Sequence, residues 1–516
     1  MANKSLFGFP GWMVPQTDTV NAEGAPAYAL SPKHKLAQYA ATSCFNNTFY
    51  ADADLQLNAV LELCTTVEPE FVARTAIYAR KHSFMKDMPA LLCAALSTRD
   101  GRLHEAVFDK VIDDTKMLRT YVQMLRSGAV GRKSLGSGPK RLVQRWLEAR
   151  EEDALFRSSV GADPSLADVL KMTHPKPNTP VREAFYGYLL GRDNNADVLP
   201  ATVKAYEQFK AGQEAKLPDL PFTMLSSLPL TAAHWASIAE NASWQTTRMN
   251  LNTFARHGVF KKSGMAKRIA SRLSDPQEIR RARVLPYQLM TAFVNCSAEV
   301  PEIVRWALQD AMETAISSVP SIEGRVLIAP DVSGSMQSPV TGRRKGATTK
   351  VRCIDVAALI AAAFVRKNHN ASVMPFEQAV VKINLNPRDT VMTNAGKLAA
   401  IGGGGTNCSA PLTEWNRLGE VADLVILVSD NESWVDARQN RGTAVLREWE
   451  RFRQRNRNAK LVCVDIQPHG TTQAAERSDI LNVGGFSDHV FELISRFASG
   501  SLGPDHWVGL IEEIAI

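Results

Sequence analysis

Residues 325–336 read R-V-L-I-A-P-D-V-S-G-S-M. An apolar run of strand type, Val326 to Ala329, stops just before Asp331, and Ser333 and Ser335 follow at alternate positions. Three short oxygen side chains on a loop where a buried strand ends suit a hard divalent cation such as Mg²⁺, which takes oxygen ligands in near-octahedral geometry. Taken alone, D-x-S-x-S is a weak signal that an ordinary helix cap also explains, so its neighbours decide the reading.

Downstream the periodicity is that of an α/β domain. Residues 371–376, 423–429 and 460–466 are further short apolar runs, with helical stretches at 354–365 and 444–452 between them. Buried strands alternating with helices imply a doubly wound parallel sheet, and such sheets bind ligands at the carboxyl ends of their strands. Two more oxygen donors fall on loops of that kind: Thr406 closes the glycine run Gly402-Gly403-Gly404-Gly405, and Asp430 ends the strand at 424–429. Thr406 and Asp430 can converge on Asp331, Ser333 and Ser335, which makes five oxygen donors on three loops. Arg343, Arg344, Lys345, Lys350 and Arg352 follow the first loop. They read as a solvated loop, with a bias towards an anionic ligand as the alternative.

Upstream, residues 33–308 carry short apolar stripes at helical spacing. Examples are Leu57, Val60 and Leu61, then Phe71, Val72 and Tyr78, then Leu91, Leu92 and Leu96, separated by Pro69, Pro89 and Asp100-Gly101. Successive helices with short connections favour paired helices stacked as a solenoid, although no fixed sequence period is present. The pattern stops near Ser317-Ser318-Val319-Pro320-Ser321, which places the expected boundary between a helical domain, 1–319, and an α/β domain, 320–516.

The net charge of +7 matters by its distribution. Between Asp114 and Glu148 lie Lys116, Arg119, Arg126, Arg132, Lys133, Lys140, Arg141 and Arg145 and no carboxylate. Between Glu240 and Asp275 lie Arg248, Arg256, Lys261, Lys262, Lys267, Arg268 and Arg272, again without a carboxylate. A solvated face normally mixes both signs. One-signed windows fit a surface that follows a nucleic-acid backbone, where Lys and Arg replace condensed counterions. The glycine-rich stretch 131–138 does not match the nucleotide-binding loop G-x-x-x-x-G-K-[ST] and follows no strand. At 170–177, L-K-M-T-H-P-K-P, His174 stands between Lys171 and Lys176 in a proline-bounded turn, where imidazole can stack on a base or bond a phosphate.

The seven cysteines are scattered and never in C-x-x-C spacing, so they read as reduced core residues. No stretch reaches the roughly 18 apolar residues of a membrane span, and the expected location is cytoplasmic with no membrane partner.

A D-x-S-x-S loop with a downstream Thr and Asp resembles the metal-ion-dependent adhesion site of a von Willebrand factor A domain. By that resemblance Ser333, Ser335 and Thr406 bind Mg²⁺ directly and Asp331 and Asp430 act partly through water, with one position left for a partner's acidic oxygen. Such a domain behind a basic helical solenoid resembles the Ro autoantigen family, whose N-terminal part is the TROVE module. Thr48-Phe49-Tyr50, Ala76-Ile77-Tyr78-Ala79-Arg80, the 170–177 turn, Arg248-Met249-Asn250-Leu251 and Ala282-Arg283-Val284-Leu285-Pro286-Tyr287 are similar to family landmarks. The resemblance implies a monomeric ring of HEAT-like helical repeats bridged by the A domain. It also implies small noncoding Y or Y-like RNA on the basic outer surface, and ends of misfolded or unprocessed structured RNAs at the central hole, in RNA quality control. Carried over by position, His174 with Lys171 and Lys176 belongs to the RNA surface and Arg157 to its upstream edge. Arg132, Lys133, Lys140, Arg141, Arg145, Arg248 and Arg256 are assigned to it by charge.

No acid pair or nucleophile–base constellation is recoverable from spacing, so the chain reads as a non-enzyme. A metal-dependent protein-interaction scaffold is the alternative. A Mg²⁺-dependent phosphoryl-transfer enzyme fits less well, since only Asp331 and Asp430 supply carboxylates.

Overall fold

The computed structural model describes residues 14–43, 45–159, 164–192, 195–214, 216–282, 284, 286–316, 319, 321–343, 351–437, 442–485, 488–503 and 505–516. Arg344, Lys345 and Lys350 of the basic loop, Cys44, Arg283, Leu285 and most of the junction at 317–320 lie outside the described residues. The chain divides into two compact units: Met1–Leu63, Leu285–Val294 and Met312–Glu513 form one, and Cys64–Val284, Asn295–Ala311 and Ile514–Ile516 the other.

The first unit contains the α/β domain. Its strands in chain order are β1 (Thr19–Val20), β2 (Pro26–Ala29), β3 (Val326–Pro330), β4 (Ala371–Val373), β5 (Leu424–Ser429), β6 (Lys460–Asp465), β7 (Thr471–Thr472) and β8 (Ile480–Gly484). Five of them make a sheet in the order β4-β3-β5-β6-β8, every pair parallel. β3 and β5 are buried along their whole length, as continuous Val/Ile/Leu runs require when helices cover both faces. The helix Cys353–Lys367 is buried from Ile354 to Val365 but for Asp355. That carboxylate turns back to accept from Arg352 N at 2.7 Å and pairs with the Arg352 guanidinium at 2.7 Å, so one cation of the basic loop is consumed as a helix cap.

The boundary expected at 319/320 is not where the compact units divide. β1, β2 and β7 form a small antiparallel sheet, which ties residues 19–29 to 471–472. Next to it, Gln38 Nε2, on the helix Pro32–Thr42, donates to Asp465 Oδ2 at 2.8 Å. Backbone pairing and a buried hydrogen bond hold the N-terminal stretch to the α/β sheet, so the linear division is corrected: the described part of Met1–Leu63 belongs with the α/β domain. A fifth parallel strand, β8, was also absent from the sequence reading, because I-L-N-V-G is interrupted by Asn482 and Gly484.

The second unit is helical, as its periodicity implies. Pro69–Lys81, Asp87–Arg99 and Gly101–Val111 follow one another through short turns and pack on one another; Thr115–Ser127 packs back on Asp87–Arg99, Ser137–Glu148 on Gly101–Val111, and Leu166–Thr173 on both Thr115–Ser127 and Ser137–Glu148. The caps are written locally: Asp100 accepts from Arg102 N and Leu103 N, Asp114 accepts from Met117 N, and Ser165 and Asp168 form a capping box. Trp146 fills the layer between helices and donates Nε1–H to Ile112 O at 2.6 Å. No helix among the described residues is long and apolar enough to cross a membrane. The six described cysteines are unpaired, and all but Cys296 are buried.

Candidate functional site

Two places bring the sequence candidates together, one in each unit. In the α/β unit, Asp331 sits directly beyond β3 and its backbone N–H donates to Val428 O of the neighbouring β5 at 2.9 Å. Its carboxylate accepts from Ser333 N at 2.8 Å and from the Ser429 hydroxyl at 2.5 Å. Ser333 Oγ and Ser335 Oγ are 3.3 Å apart, and Ser335 also hydrogen-bonds Asp430. The glycine loop is laced to this turn, with Gly403 N donating to Val332 O and Gly334 N to Gly404 O, both at 3.0 Å. Thr406 follows, buried, with its carbonyl accepting from Trp434 N and Val435 N. All five oxygen-donor residues therefore lie on three adjoining loops at the carboxyl end of the sheet.

Electrostatics single out this spot. Asp331 and Asp430 are both fully buried. Burial raises the pKa of each carboxyl above its ordinary value, and for Asp331 the charge on Asp430 raises it further. No Lys or Arg pairs with either among the described residues, and Asp430 Oδ1 is buried without a hydrogen-bond partner. Two buried carboxyls with no Lys or Arg partner among the described residues, and an orphaned oxygen beside three hydroxyls, are the donor chemistry of a hard cation. Among the described residues no three His, Cys, Asp or Glu side chains group as metal donors, so the hydroxyls of Ser333, Ser335 and Thr406 are needed to complete a set. The residues present fit Mg²⁺.

Further residues that sequence reasoning missed stand around this centre. Ser429, counted as strand, is a hydrogen-bond donor to Asp331. Tyr50 comes from the N-terminal stretch: its phenol hydrogen-bonds Ser335, and burial together with the charge of Asp430 raises its pKa. The segment that carries it is pinned to the chain beyond the metal loop, because Arg343 N donates to Asn47 O at 2.6 Å and Asn46 Nδ2 to Thr341 O at 2.7 Å. Tyr50 belongs to the Thr48-Phe49-Tyr50 landmark, but no local signal ties it to the metal loop, since its partner lies in a different part of the chain. A buried pair, His469 Nδ1 to Glu432 Oε1 at 3.0 Å, lies on the same side. Burial works against the charge on His469, yet its hydrogen bond to Glu432 and the nearby carboxylates hold its pKa above the usual value. Asp465 is pushed up to about 8 by burial.

In the helical unit the acid-free windows acquire acids from other helices. Arg145 pairs with Glu105 at 3.0 Å and Asp109 at 2.9 Å, and Arg141 reaches Glu105 at 3.8 Å. Arg157 pairs with Asp219 at 2.7 Å and Lys171 with Asp168 at 3.9 Å. In the second window Glu240 takes Lys262 at 2.7 Å and Arg268 at 3.6 Å. Arg248 donates to Gln245 Oε1 and Arg256 to Thr253 Oγ1. Exposed pairs of this kind hold little energy, but they offset part of the positive charge of these two windows.

Arg132 has a structural placement. Its guanidinium donates to Ser97 O at 2.6 Å and Leu135 O at 3.2 Å, and its Nε is buried. Gly136, at φ +69°, is glycine because a Cβ there would meet the Arg132 guanidinium at 2.8 Å. Arg132→Gln is expected to cost about 1–2 kcal/mol by stranding those two carbonyls, read as a lower midpoint in urea unfolding. An unchanged midpoint would show that Arg132 is free to act elsewhere.

What stays available is a smaller cluster. Lys133 and Lys176 are exposed and Lys140 half-buried, and none of the three has an ion pair among the described residues. Lys140 and Gln144 lie one turn apart on Ser137–Glu148, hence on one face. Gln144 Nε2 donates to Thr173 O at 2.7 Å and to His174 O at 3.3 Å. His174 closes its helix in the left-handed conformation at φ 51° and is exposed. This turn thus presents His174 and Lys176 beside the Lys140 face. The side chain of Lys133 lies at Gly128, the cap of the preceding helix Thr115–Ser127.

Residues 325–498 match the family model described as the Ro60 vWA domain. The chain is 26% identical over 536 residues to RNA-binding protein RO60 of Deinococcus radiodurans, covering 95% of this chain and 98% of that protein. It is 22% identical over 248 residues to RNA-binding protein RO60 of Caenorhabditis elegans, covering 45% of this chain and 37% of that protein. The crystal structure of the Deinococcus radiodurans RO (RSR) protein matches the fold with a TM-score of 0.63 at 20% sequence identity, over 92% of this chain and 100% of that one.

Proposed function

The chain is Ro-like over 95% of its length, and from that premise we propose that it is an RNA-binding protein whose helical unit takes structured small noncoding RNA of the Y or Y-like class. The observation that carries this reading is the group Lys133, Lys140, His174 and Lys176: cations and an exposed imidazole gathered on neighbouring helix ends, with no acid of the described residues paired to the lysines. Lysines in that state replace counterions on a phosphate backbone, and His174 can stack on an unpaired base. Misfolded or unprocessed structured RNA is the second cargo of this reading, in RNA quality control in the cytoplasm, and no catalytic role is assigned to any residue.

The α/β unit is proposed to hold Mg²⁺ through Ser333, Ser335 and Thr406, with Asp331 and Asp430 supplying the charge. When bound, the cation supplies an electrophilic position for an acidic oxygen of a partner protein. Trp434 is 45% exposed and its backbone is bonded to Thr406 O, so an apolar contact stands beside that position. This favours a docking role for the unit as a second reading, compatible with the first.

Filter binding of a structured small RNA across a salt series tests the RNA reading. The expected result is tight binding with a log–log salt slope of about −0.7 to −0.9 per phosphate neutralised. Absence of binding at low salt would sink it.

A further inference from the structure

An open cavity of about 620 Å³ in the helical unit is lined by Trp235, Arg256, His257, Gly258, Lys261 and Lys262, among others. It lies where the helices Ala232–Asn241 and Leu251–Arg256 meet the short turn Val259–Lys261. Trp235 is buried, and its indole stacks flat on the His257 imidazole, with ring centroids 3.9 Å apart and 8° between planes. His257 itself is exposed and its ring nitrogens bond no group among the described residues. Gly258, in the left-handed region at φ +71°, reverses the chain immediately afterwards and brings Lys261 to the same rim.

Among the described residues the Trp235 indole is the one ring stacked on His257, and both side chains line the cavity. A buried indole fixes the plane of an exposed imidazole. A third planar ring can extend such a stack, as bases do on aromatic side chains and imidazoles. The cations around it differ in availability. Lys262 is engaged by Glu240, whereas among the described residues the Arg256 guanidinium donates to Thr253 Oγ1 at 3.2 Å and pairs with no acid, and Lys261 has no ion pair. A planar platform with two available cations at its rim matches a nucleotide better than a bare anion, which needs no stack, or an apolar peptide, which needs no cations. The volume is within the range of small-ligand sites, roughly 300–1,000 Å³.

We propose that this cavity is a subsite for one unpaired nucleotide of RNA, the base stacked on His257 and its phosphate held by Arg256 and Lys261. The proposal rests on the RNA-binding reading and extends it to a place the Lys133, Lys140 and Lys176 group does not provide.

The test uses the full chain and two RNAs, a blunt hairpin and the same hairpin carrying a five-nucleotide unpaired adenosine extension. Both are titrated at one salt concentration against wild type, His257→Ala and His257→Phe. Wild type should bind the extended RNA about tenfold more tightly, towards the low end of base–aromatic stacking. His257→Ala should lose that preference while binding the blunt hairpin as before, and His257→Phe, which keeps a planar face, should retain it. A preference that persists in His257→Ala overturns the subsite, as does a wild type that binds both RNAs equally. A wild type that binds neither RNA at low salt overturns the RNA-binding reading and the subsite with it. Thermal melting of each variant identifies a misfolded His257→Ala, in which case the His257→Phe and wild-type arms decide.

Discussion

Asp430→Asn is expected to make the chelated protein more stable and to erase its stabilisation by Mg²⁺. Asp331 and Asp430 are buried together with no Lys or Arg of the described residues paired to them, and the nearby His469 is already bonded to Glu432; a buried charge without a full partner is costly. Asparagine keeps the shape and removes one charge, so in EDTA at pH 8 the variant should gain about 1–3 kcal/mol. With Mg²⁺ at about 100 times its Kd, wild type should gain about 2.7 kcal/mol over its chelated form, and Asp430→Asn should gain almost nothing. The pH dependence has a definite sign. A carboxyl whose pKa in the folded protein is raised holds its proton there while the unfolded chain has released it. Stability is therefore fully present below the unfolded value and falls as pH rises towards the folded one. For Asp465 that window runs from 3.8 to about 8, and the raised values of Asp331 and Asp430 act in the same direction. Chelated wild type should thus lose stability across this range, and Mg²⁺ should oppose the loss most at its alkaline end. Calorimetry with and without EDTA reads all of this. A chelated Asp430→Asn that melts below wild type, or one that still responds to Mg²⁺, removes the cation from this site.

Replacing Lys133, Lys140 and Lys176 together by glutamine should lower affinity for structured RNA on the order of 100-fold near physiological salt and reduce the magnitude of the salt slope by about 2–3. The lysines have no ion pair among the described residues, so folding stability should move by no more than about 0.5 kcal/mol. The loss should be uniform across RNA sequences, because phosphate contacts position without reading bases. An unchanged slope with intact affinity would move the RNA to another face.

Several elements of this fold were readable in advance because they depend on neighbours along the chain. The strands Val326–Pro330 and Leu424–Ser429 are continuous apolar runs, and Asp331 and Asp430 stand at their ends, where a parallel sheet places ligands. The helix Cys353–Lys367 was visible as the apolar stretch 354–365. The basic surface was only partly readable. The acid-free windows are real in sequence, but Glu105, Asp109 and Glu240 reach Arg145, Arg141 and Lys262 from other helices, and Arg132 is spent on backbone carbonyls. Charge counted along the chain overstates charge available on a face.

The amino-acid sequence by itself determined the helical array, the parallel α/β sheet and a set of oxygen donors at its strand ends, since periodicity and strand-end motifs are short-range properties. Tertiary structure decided which donors share one buried pocket, that Tyr50 stands over Ser335, that Trp235 stacks on His257, and which lysines remain unpaired. Each of these depends on a partner far away in the chain, and the free energy of a buried carboxylate or an exposed lysine is set by what the fold brings within a few ångströms of it.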